Sequence, residues 1–194
     1  MRITGGRFGG RTLAGPSDAS VRPTADKVRQ AVFNILEHHD FGTGFSLDNA
    51  RVLDLFAGTG AMGLEALSRG AAFCIFVDNA AESRALLRRN VEALQLTGAT
   101  KIWRRDAASL GPMPAGAGGP FDLVFIDPPY RKGLLAPALA SLHEGNWLAR
   151  HALIVAEASD EENVDSPFAV SDRRIYGDTQ VVFYLADGSV GTAA

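Results

Sequence analysis

Apolar residues change their spacing twice along this chain, and each change predicts a different kind of structure. Arg2 to Thr4 and Arg11 to Leu13 are short strand candidates flanking Gly5, Gly6, Gly9 and Gly10, which suits a small β-hairpin with Phe8 near its tip. Turn formers fill residues 15 to 20. Pro23 and Thr24 then open a helix in which Val28, Ala31, Val32, Ile35 and Leu36 recur at helical spacing as far as His38. From residue 51 strands and helices alternate: strand Arg51 to Phe56, helix Ala61 to Arg69 stopped by Gly70, strand Ala72 to Val77, helix Ala80 to Leu94, strand Lys101 to Arg104. A Gly/Pro-rich loop, 111 to 120, leads into Phe121 to Ile126, whose nearly continuous apolar run suits a parallel strand covered on both faces. A helix within 134 to 144 and a strand from Ala152 to Glu157 follow. The last two strands, Phe168 to Ile175 and Gln180 to Leu185, are separated only by Tyr176 to Thr179, which favours an antiparallel hairpin over a crossover.

The expected fold class is therefore α/β: a doubly wound, seven-stranded, mostly parallel sheet ending in an antiparallel hairpin. At 194 residues the chain can bury one two-sided core but not two comfortable ones. Residues 1–23 are expected to form a basic extension, 24–187 the main domain and 188–194 a tail. Linkers are expected at 15–20 and in the acidic stretch 158–167.

Composition adds two constraints. The single cysteine, Cys74, lies in an apolar run and cannot form an internal disulfide, so it is expected to be a buried, inert thiol. The N-terminus has no apolar leader, and no stretch approaches the roughly 18 apolar residues of a membrane span. A cytoplasmic protein without membrane contact is expected, and no residue pattern calls for a metal. The net charge of −3 hides a strong asymmetry. Arg2, Arg7, Arg11, Arg22, Lys27 and Arg29 outnumber Asp18 and Asp26 in the first thirty residues. Eight acids, beginning with Glu157, outnumber Arg173 and Arg174 after residue 150. A basic end on an acidic chain points to a local polyanion contact, with a merely solvated surface as the alternative.

The chemistry begins at Asp54-Leu-Phe-Ala-Gly-Thr-Gly-Ala-Met-Gly, between the first sheet strand and its helix. Gly58, Gly60 and Gly63 there allow backbone to approach a nucleotide-like ligand, although such a run can also be only a tight turn. Asp78 closes the second strand, twenty residues after Gly58, where a carboxylate can accept both hydroxyls of a ribose; its alternative is to cap the helix that follows Asn79. Asp106, after the third strand, can accept from an adenine amino group or form a turn. Nicotinamide dinucleotides and S-adenosyl-L-methionine both fit these features. The fourth strand separates them, because it ends in Asp127-Pro128-Pro129-Tyr130 at the carboxyl edge of the sheet. An exocyclic base amine is a poor nucleophile. The Asp127 carboxylate and the Pro128 carbonyl can accept its two N–H bonds, while consecutive prolines stiffen the pair and Tyr130 offers a face for stacking an extruded base. A plain surface turn is the alternative.

Asp127-Pro-Pro-Tyr130 resembles the signature of amino methyltransferases acting on adenine N6 or guanine N2, and Asp54-x-Phe56-x-Gly58-x-Gly60 looks like their cofactor loop. Arg2-Ile-Thr-Gly-Gly, Gly10-Arg11-x-Leu13 and Arg22-Pro-Thr-x-Asp26-Lys-Val-Arg29 through Phe33-Asn34 further resemble the RsmD family of bacterial 16S ribosomal RNA guanine-N2 methyltransferases, from Arg2 to about Leu185. The resemblance implies a Rossmann-like class I methyltransferase domain, S-adenosyl-L-methionine as cofactor, and a guanine N2 target in 16S ribosomal RNA of an assembled or assembling small subunit. It implies that Asp54, Phe56, Gly58, Gly60, Asp78 and Asp106 line the cofactor, with Ala57, Asn79 and Ala107 beside them and Thr24 near its methionine end. By the same resemblance, Asp127, Pro128, Pro129 and Tyr130 are expected to face the target amine. Asp106 departs from the Asn often found at its position. The expected RNA contacts are Arg2, Arg7, Arg11, Arg22, Lys27, Arg29, Arg131 and Lys132, on a monomer. Three rivals stand beside this reading. A DNA adenine-N6 enzyme would be expected to carry a separate recognition domain. An oxidoreductase leaves Asp127 to Tyr130 unexplained, and a non-catalytic RNA-binding relative would be expected to have damaged motifs.

Overall fold

The computed structural model describes residues 1–16, 23–129, 132–162 and 164–186, with the side chains of Pro23 and Thr24 outside that description. Arg22, Tyr130, Arg131 and the 188–194 tail, all named above, lie outside the described residues. The sheet strands are β1 (Arg51–Leu55), β2 (Phe73–Val77), β3 (Thr100–Trp103), β4 (Phe121–Ile126), β5 (Leu148–Ser159), β6 (Ala169–Tyr176) and β7 (Thr179–Leu185). The α-helices are α1 (Pro23–His38), α2 (Ala61–Ser68), α3 (Ala81–Ala93) and α4 (Leu135–Glu144).

The seven strands stand in the order β3-β2-β1-β4-β5-β7-β6. β1 to β5 pair in parallel, and β7 inserts antiparallel between β5 and β6. This is the Rossmann-like class I architecture expected from the alternation of elements. Its consequence is a switch point: the chain winds outward from β1 through β2 to β3, then returns to the other side of β1 as β4. Ligands bind outside the carboxyl ends of the strands at such a point.

Strand residues alternate between two cores. Val52, Cys74, Phe76, Leu123 and Phe125 face α1, α2 and α3, where Val32, Phe33, Leu64 and Leu87 meet them. Leu53, Ile75, Val77, Val124 and Ile126 face the other way, against Leu139 and Leu142 of α4 and the fully buried Trp147. Each fully buried aliphatic side chain contributes about 1.5–3 kcal/mol by leaving water. Cys74 is fully buried among these residues, and burial pushes its thiol pKa up, as expected for an inert core cysteine.

Several boundaries differ from the periodicity, each for a tertiary reason. β5 runs on to Ser159 because β7 pairs with it through Ser159↔Thr179, so Ala158 and Ser159 of the expected acidic linker are strand. The terminal hairpin turns at Gly177 and Asp178, with Gly177 at φ +62°, which shortens the expected four-residue turn. The N-terminal hairpin is reduced to one antiparallel bridge, Arg2↔Thr12, around a 3₁₀ turn at Gly6–Phe8.

This N-terminal loop is not a free arm. Ile3 is fully buried and Leu13 is 4% exposed, both in the α1–α3 core. Fully buried Glu65 of α2 accepts the backbone N–H groups of Thr4 and Gly5 and the Thr4 hydroxyl, each at 2.8 Å. Arg69 Nε donates to the same carboxylate at 2.8 Å, and Arg29 Nε at 3.4 Å. A buried carboxylate is tolerated when its lone pairs are matched in this way. Asn90 of α3 clamps the far end of the loop, accepting from Ala14 N–H at 2.7 Å and donating to the Ala14 carbonyl at 3.0 Å.

Candidate functional site

β1 ends in a loop held by backbone geometry. Phe56, Gly58 and Gly60 have φ of +57°, +55° and +79°, a left-handed region that is costly for a side chain such as Phe56 and easy for glycine. A Cβ at Gly60 would collide with Leu87 Cδ1, so only glycine lets the loop lie on α3. At Gly58 nothing but the Phe56 carbonyl, 3.9 Å away, approaches a Cβ position, which leaves open space above the loop. Two carboxylates brace it. Asp54 accepts the Gly63 N–H at 2.9 Å, and Asp78 accepts the Gly58 N–H at 2.9 Å through one oxygen and the Ala80 N–H at 2.8 Å through the other. Asp78 therefore does not cap α3, whose N-cap is Ala80, but forms a turn that leads into it and contacts the glycine loop. Each of its oxygens retains a second lone pair.

Beside this loop a crevice of about 360 Å³ opens at the switch point, lined in part by Asp54, Phe56, Gly58, Asp127, Glu157 and Tyr176. Such a volume falls within the range of small-molecule pockets. Three carboxyl groups share it. Burial pushes Asp54 up to about 8, against the pull of the Gly63 N–H and with help from the charges of Asp127 and Asp78. Asp127 opens onto the crevice, while the protein crowding its other sides removes enough water to raise it to about 6. Glu157 is raised to about 8 by burial and then by the neighbouring Asp127 charge, with Arg29 pulling the other way. Crowding of three carboxyl groups in one partly desolvated crevice therefore favours fewer than three negative charges there near neutral pH.

Of the expected cofactor residues, Asp54, Phe56, Ala57 and Gly58 line this crevice together with Asp127. Gly60 lies buried beneath the loop. Asn79 and Asp106 are exposed on the same carboxyl edge but outside the crevice, and Asp106 accepts the Ala108 N–H at 3.0 Å in a turn. Ala107 is 3% exposed and packs into the α4 core. Pro128 is buried and Pro129 exposed.

Among the expected RNA contacts, Arg2, Arg7, Arg11, Lys27 and Lys132 are exposed. The Arg7 guanidinium lies over the Phe8 ring, 4.5 Å from its centroid, while Phe8 packs on the α1–α3 core. Arg29 is the correction. It is 4% exposed, pairs with Asp26 at 2.7 Å and donates to the Arg2 carbonyl at 2.5 Å. Its charge is used inside the protein, because it neutralises Glu65 and faces Glu157.

The sequence reading missed Glu157 as a site residue and counted it only among the acids of the C-terminal end. Its signal was positional: a carboxylate at the carboxyl end of the expected strand Ala152 to Glu157, which the structure places beside the strand that leads to Asp127. It also missed Tyr176 and Thr179, which reach the crevice only because β6 and β7 fold back beside β5.

The family described as Conserved hypothetical protein 95 matches residues 1–185. The chain belongs to this family, the RsmD family. Ribosomal RNA small subunit methyltransferase D of Escherichia coli is 37% identical over 164 residues, 84% of this chain and 77% of that protein. YlbH of Bacillus subtilis is 36% identical over 193 residues, 97% of this chain and all of that protein. The solved structure of Escherichia coli yhhF superposes with a TM-score of 0.77 at 33% identity, covering 95% of this chain and 97% of that one. The RsmD match includes the N-terminal loop, in keeping with a loop that is part of the packed structure. Among the described residues, no helix of this RsmD-family chain is long and apolar enough to cross a membrane.

Proposed function

We propose that this chain transfers a methyl group from S-adenosyl-L-methionine to the exocyclic N2 amine of a guanine in 16S ribosomal RNA of the small ribosomal subunit. The observation that carries the reading is the meeting, in one crevice, of the Asp127 carboxylate with the glycine loop after β1. The names of relatives such as the E. coli enzyme support the RNA class, and the motifs that resemble RsmD support the N2 position.

The residues fit the cofactor. The open surface over Gly58 can take a close-lying ligand, and the free lone pairs of Asp78 can accept ribose hydroxyls. When bound, the cofactor supplies an electrophilic methyl group, whose bond to sulfur breaks as the bond to the amine nitrogen forms. Asp127 accepts one N–H of the amine and the Pro128 carbonyl the other, which turns the nitrogen lone pair towards the methyl group and stabilises the positive charge developing on nitrogen. The Asp127 carboxylate then takes the proton that nitrogen releases, a transfer suited to its pKa of about 6. Tyr130 stacks on the extruded base.

The test is mass spectrometry of ribosomal RNA nucleosides with and without this protein, on bare RNA and on small subunits. The expected result is N2-methylguanosine at one position that depends on the protein. N6-methyladenosine in its place would favour the adenine-directed reading, and the absence of any methylated nucleoside would remove the catalytic one.

A further inference from the structure

β4 and β5 are parallel neighbours with Ile126 opposite Ala156, so Asp127, just past the end of β4, and Glu157, still within β5, stand side by side at the carboxyl edge of β4. Both line the crevice. Asp78 and Asp106 lie beyond β1, at the ends of β2 and β3, whereas Glu157 lies on the opposite side of β4, between it and β7. A cofactor whose adenosine reaches Asp78 leaves the Glu157 side to the target base.

We infer that Glu157 reads the Watson–Crick edge of the target guanine, its carboxyl accepting from N1–H and donating to O6 while Asp127 holds the neighbouring N2 amine. The inference rests on the guanine-N2 reading above and names the residue that would select that base. Parallel strands stand about 4.8 Å apart, the same scale as the separation of the two exocyclic groups on one purine edge. Two carboxyls at neighbouring register positions of adjacent strands can therefore address N2 and O6 of one base. A neutral carboxyl offers one acceptor and one donor, which match N1–H and O6 in order. Burial and the neighbouring Asp127 charge push Glu157 towards its neutral form; the other titratable residues lining the crevice are Arg29, which opposes this, Met1 with the N-terminal amine, Asp54 and Tyr176. Adenine presented with its amine on Asp127 offers a bare N1 acceptor and then a C–H, so it matches one of these contacts at most.

The test uses small-subunit RNA carrying either guanine or 2-aminopurine at the nucleotide the wild-type protein methylates. 2-Aminopurine keeps the amine and lacks both N1–H and O6. The ratio of kcat/KM for the two bases is measured for wild type, Glu157→Ala and Glu157→Gln, with thermal melting to show that each variant is folded. Differences in intrinsic amine reactivity cancel between proteins. Removing two hydrogen bonds should reduce the preference for guanine by about ten- to a hundredfold in Glu157→Ala. Glu157→Gln should retain it, because an amide presents the same acceptor and donor as the neutral acid. An undiminished preference in Glu157→Ala would overturn the assignment, as would a collapse in Glu157→Gln, which would show that a charged carboxylate is needed. Absence of guanine-N2 methylation by the wild type would instead remove the proposed function itself.

Discussion

On the β1 wall of the crevice the loop from Phe56 to Gly60 offers a ligand mainly backbone, with the Asp54 carboxyl beside it, whereas the β4–β5 wall offers the side-chain carboxyls of Asp127 and Glu157. The loop from Phe56 to Gly60 is set by three positive φ angles and by the collision any side chain at Gly60 would make with Leu87. Its shape is set chiefly by backbone conformation. Asp127 and Glu157 owe their placement to strand register, but their chemistry comes from their mutual charge and the water excluded around them. A backbone wall suits a cofactor that must only be held. A titratable wall suits a nucleophile whose charge changes during reaction.

The largest effect expected from breaking this comparison is at Asp127. Asp127→Ala should lower methyl transfer by about a thousandfold or more, in line with removal of a principal interaction of the transition state, while calorimetry shows cofactor affinity within about twofold. An equal fall in both would place Asp127 on the cofactor side and dissolve the division between the walls.

Gly60→Val tests the backbone wall directly. Overpacking against Leu87 and a β-branched residue at φ +79° should destabilise the protein by about 2–4 kcal/mol and abolish detectable cofactor binding. Chemical denaturation and calorimetry report the two effects separately. Asp78→Ala is milder: it removes the acceptor proposed for the ribose and leaves the Gly58 and Ala80 N–H groups without a partner. Cofactor binding should weaken by about 1–3 kcal/mol. Unchanged affinity would confine Asp78 to bracing the loop.

The titratable wall should show itself in pH dependence. With Asp127 near 6, the single-turnover rate should fall as pH drops through about 6, where its carboxylate becomes protonated. For stability the sign runs the other way. Glu157 rises from an ordinary 4.5 to about 8 on folding, so between these values the folded protein binds more protons than the unfolded chain and loses stability as pH rises. This penalty is absent below about 4.5 and complete above about 8. Glu157→Gln should therefore gain melting temperature over wild type progressively from pH 5 to pH 9. A constant difference would show that Glu157 does not titrate in this window.

The smallest effect concerns the rim. Changing Arg2, Arg7 and Arg11 to Ala should leave the fold and cofactor binding intact, since all three side chains are exposed. It should reduce the slope of log affinity for RNA against log salt by about 0.7–0.9 for each phosphate no longer neutralised. An unchanged slope across a salt series would make these arginines a solvated surface and move the RNA contacts to another face.

Much of this was legible in one dimension because local physics sets it. The alternation of apolar runs from residue 51 onward located every strand and helix of the sheet, since period-two and period-3.6 patterns express burial directly. Gly58, Gly60 and Asp54 declared a backbone loop because their spacing, strand then glycines then helix, has few other uses. Cys74 declared itself inert by the apolar residues on either side. Arg29 misled for the same reason that makes sequence useful: it stands in a run of basic residues, and although its i,i+3 pairing with Asp26 is local to α1, only the packing of α1 on α2 shows that it is buried against Glu65.

What sequence alone could not determine is which charges meet. Glu65 is sixty residues from Gly5, and Glu157 is thirty from Asp127, so neither pairing leaves a periodic trace. Docking of the N-terminal loop, the approach of the β6–β7 hairpin to the crevice, and the charge states of its three carboxyls were decided by the tertiary structure. The physical reason is that hydrophobic pattern is written residue by residue along the chain, whereas desolvation and Coulomb energy depend on distances that exist only after folding.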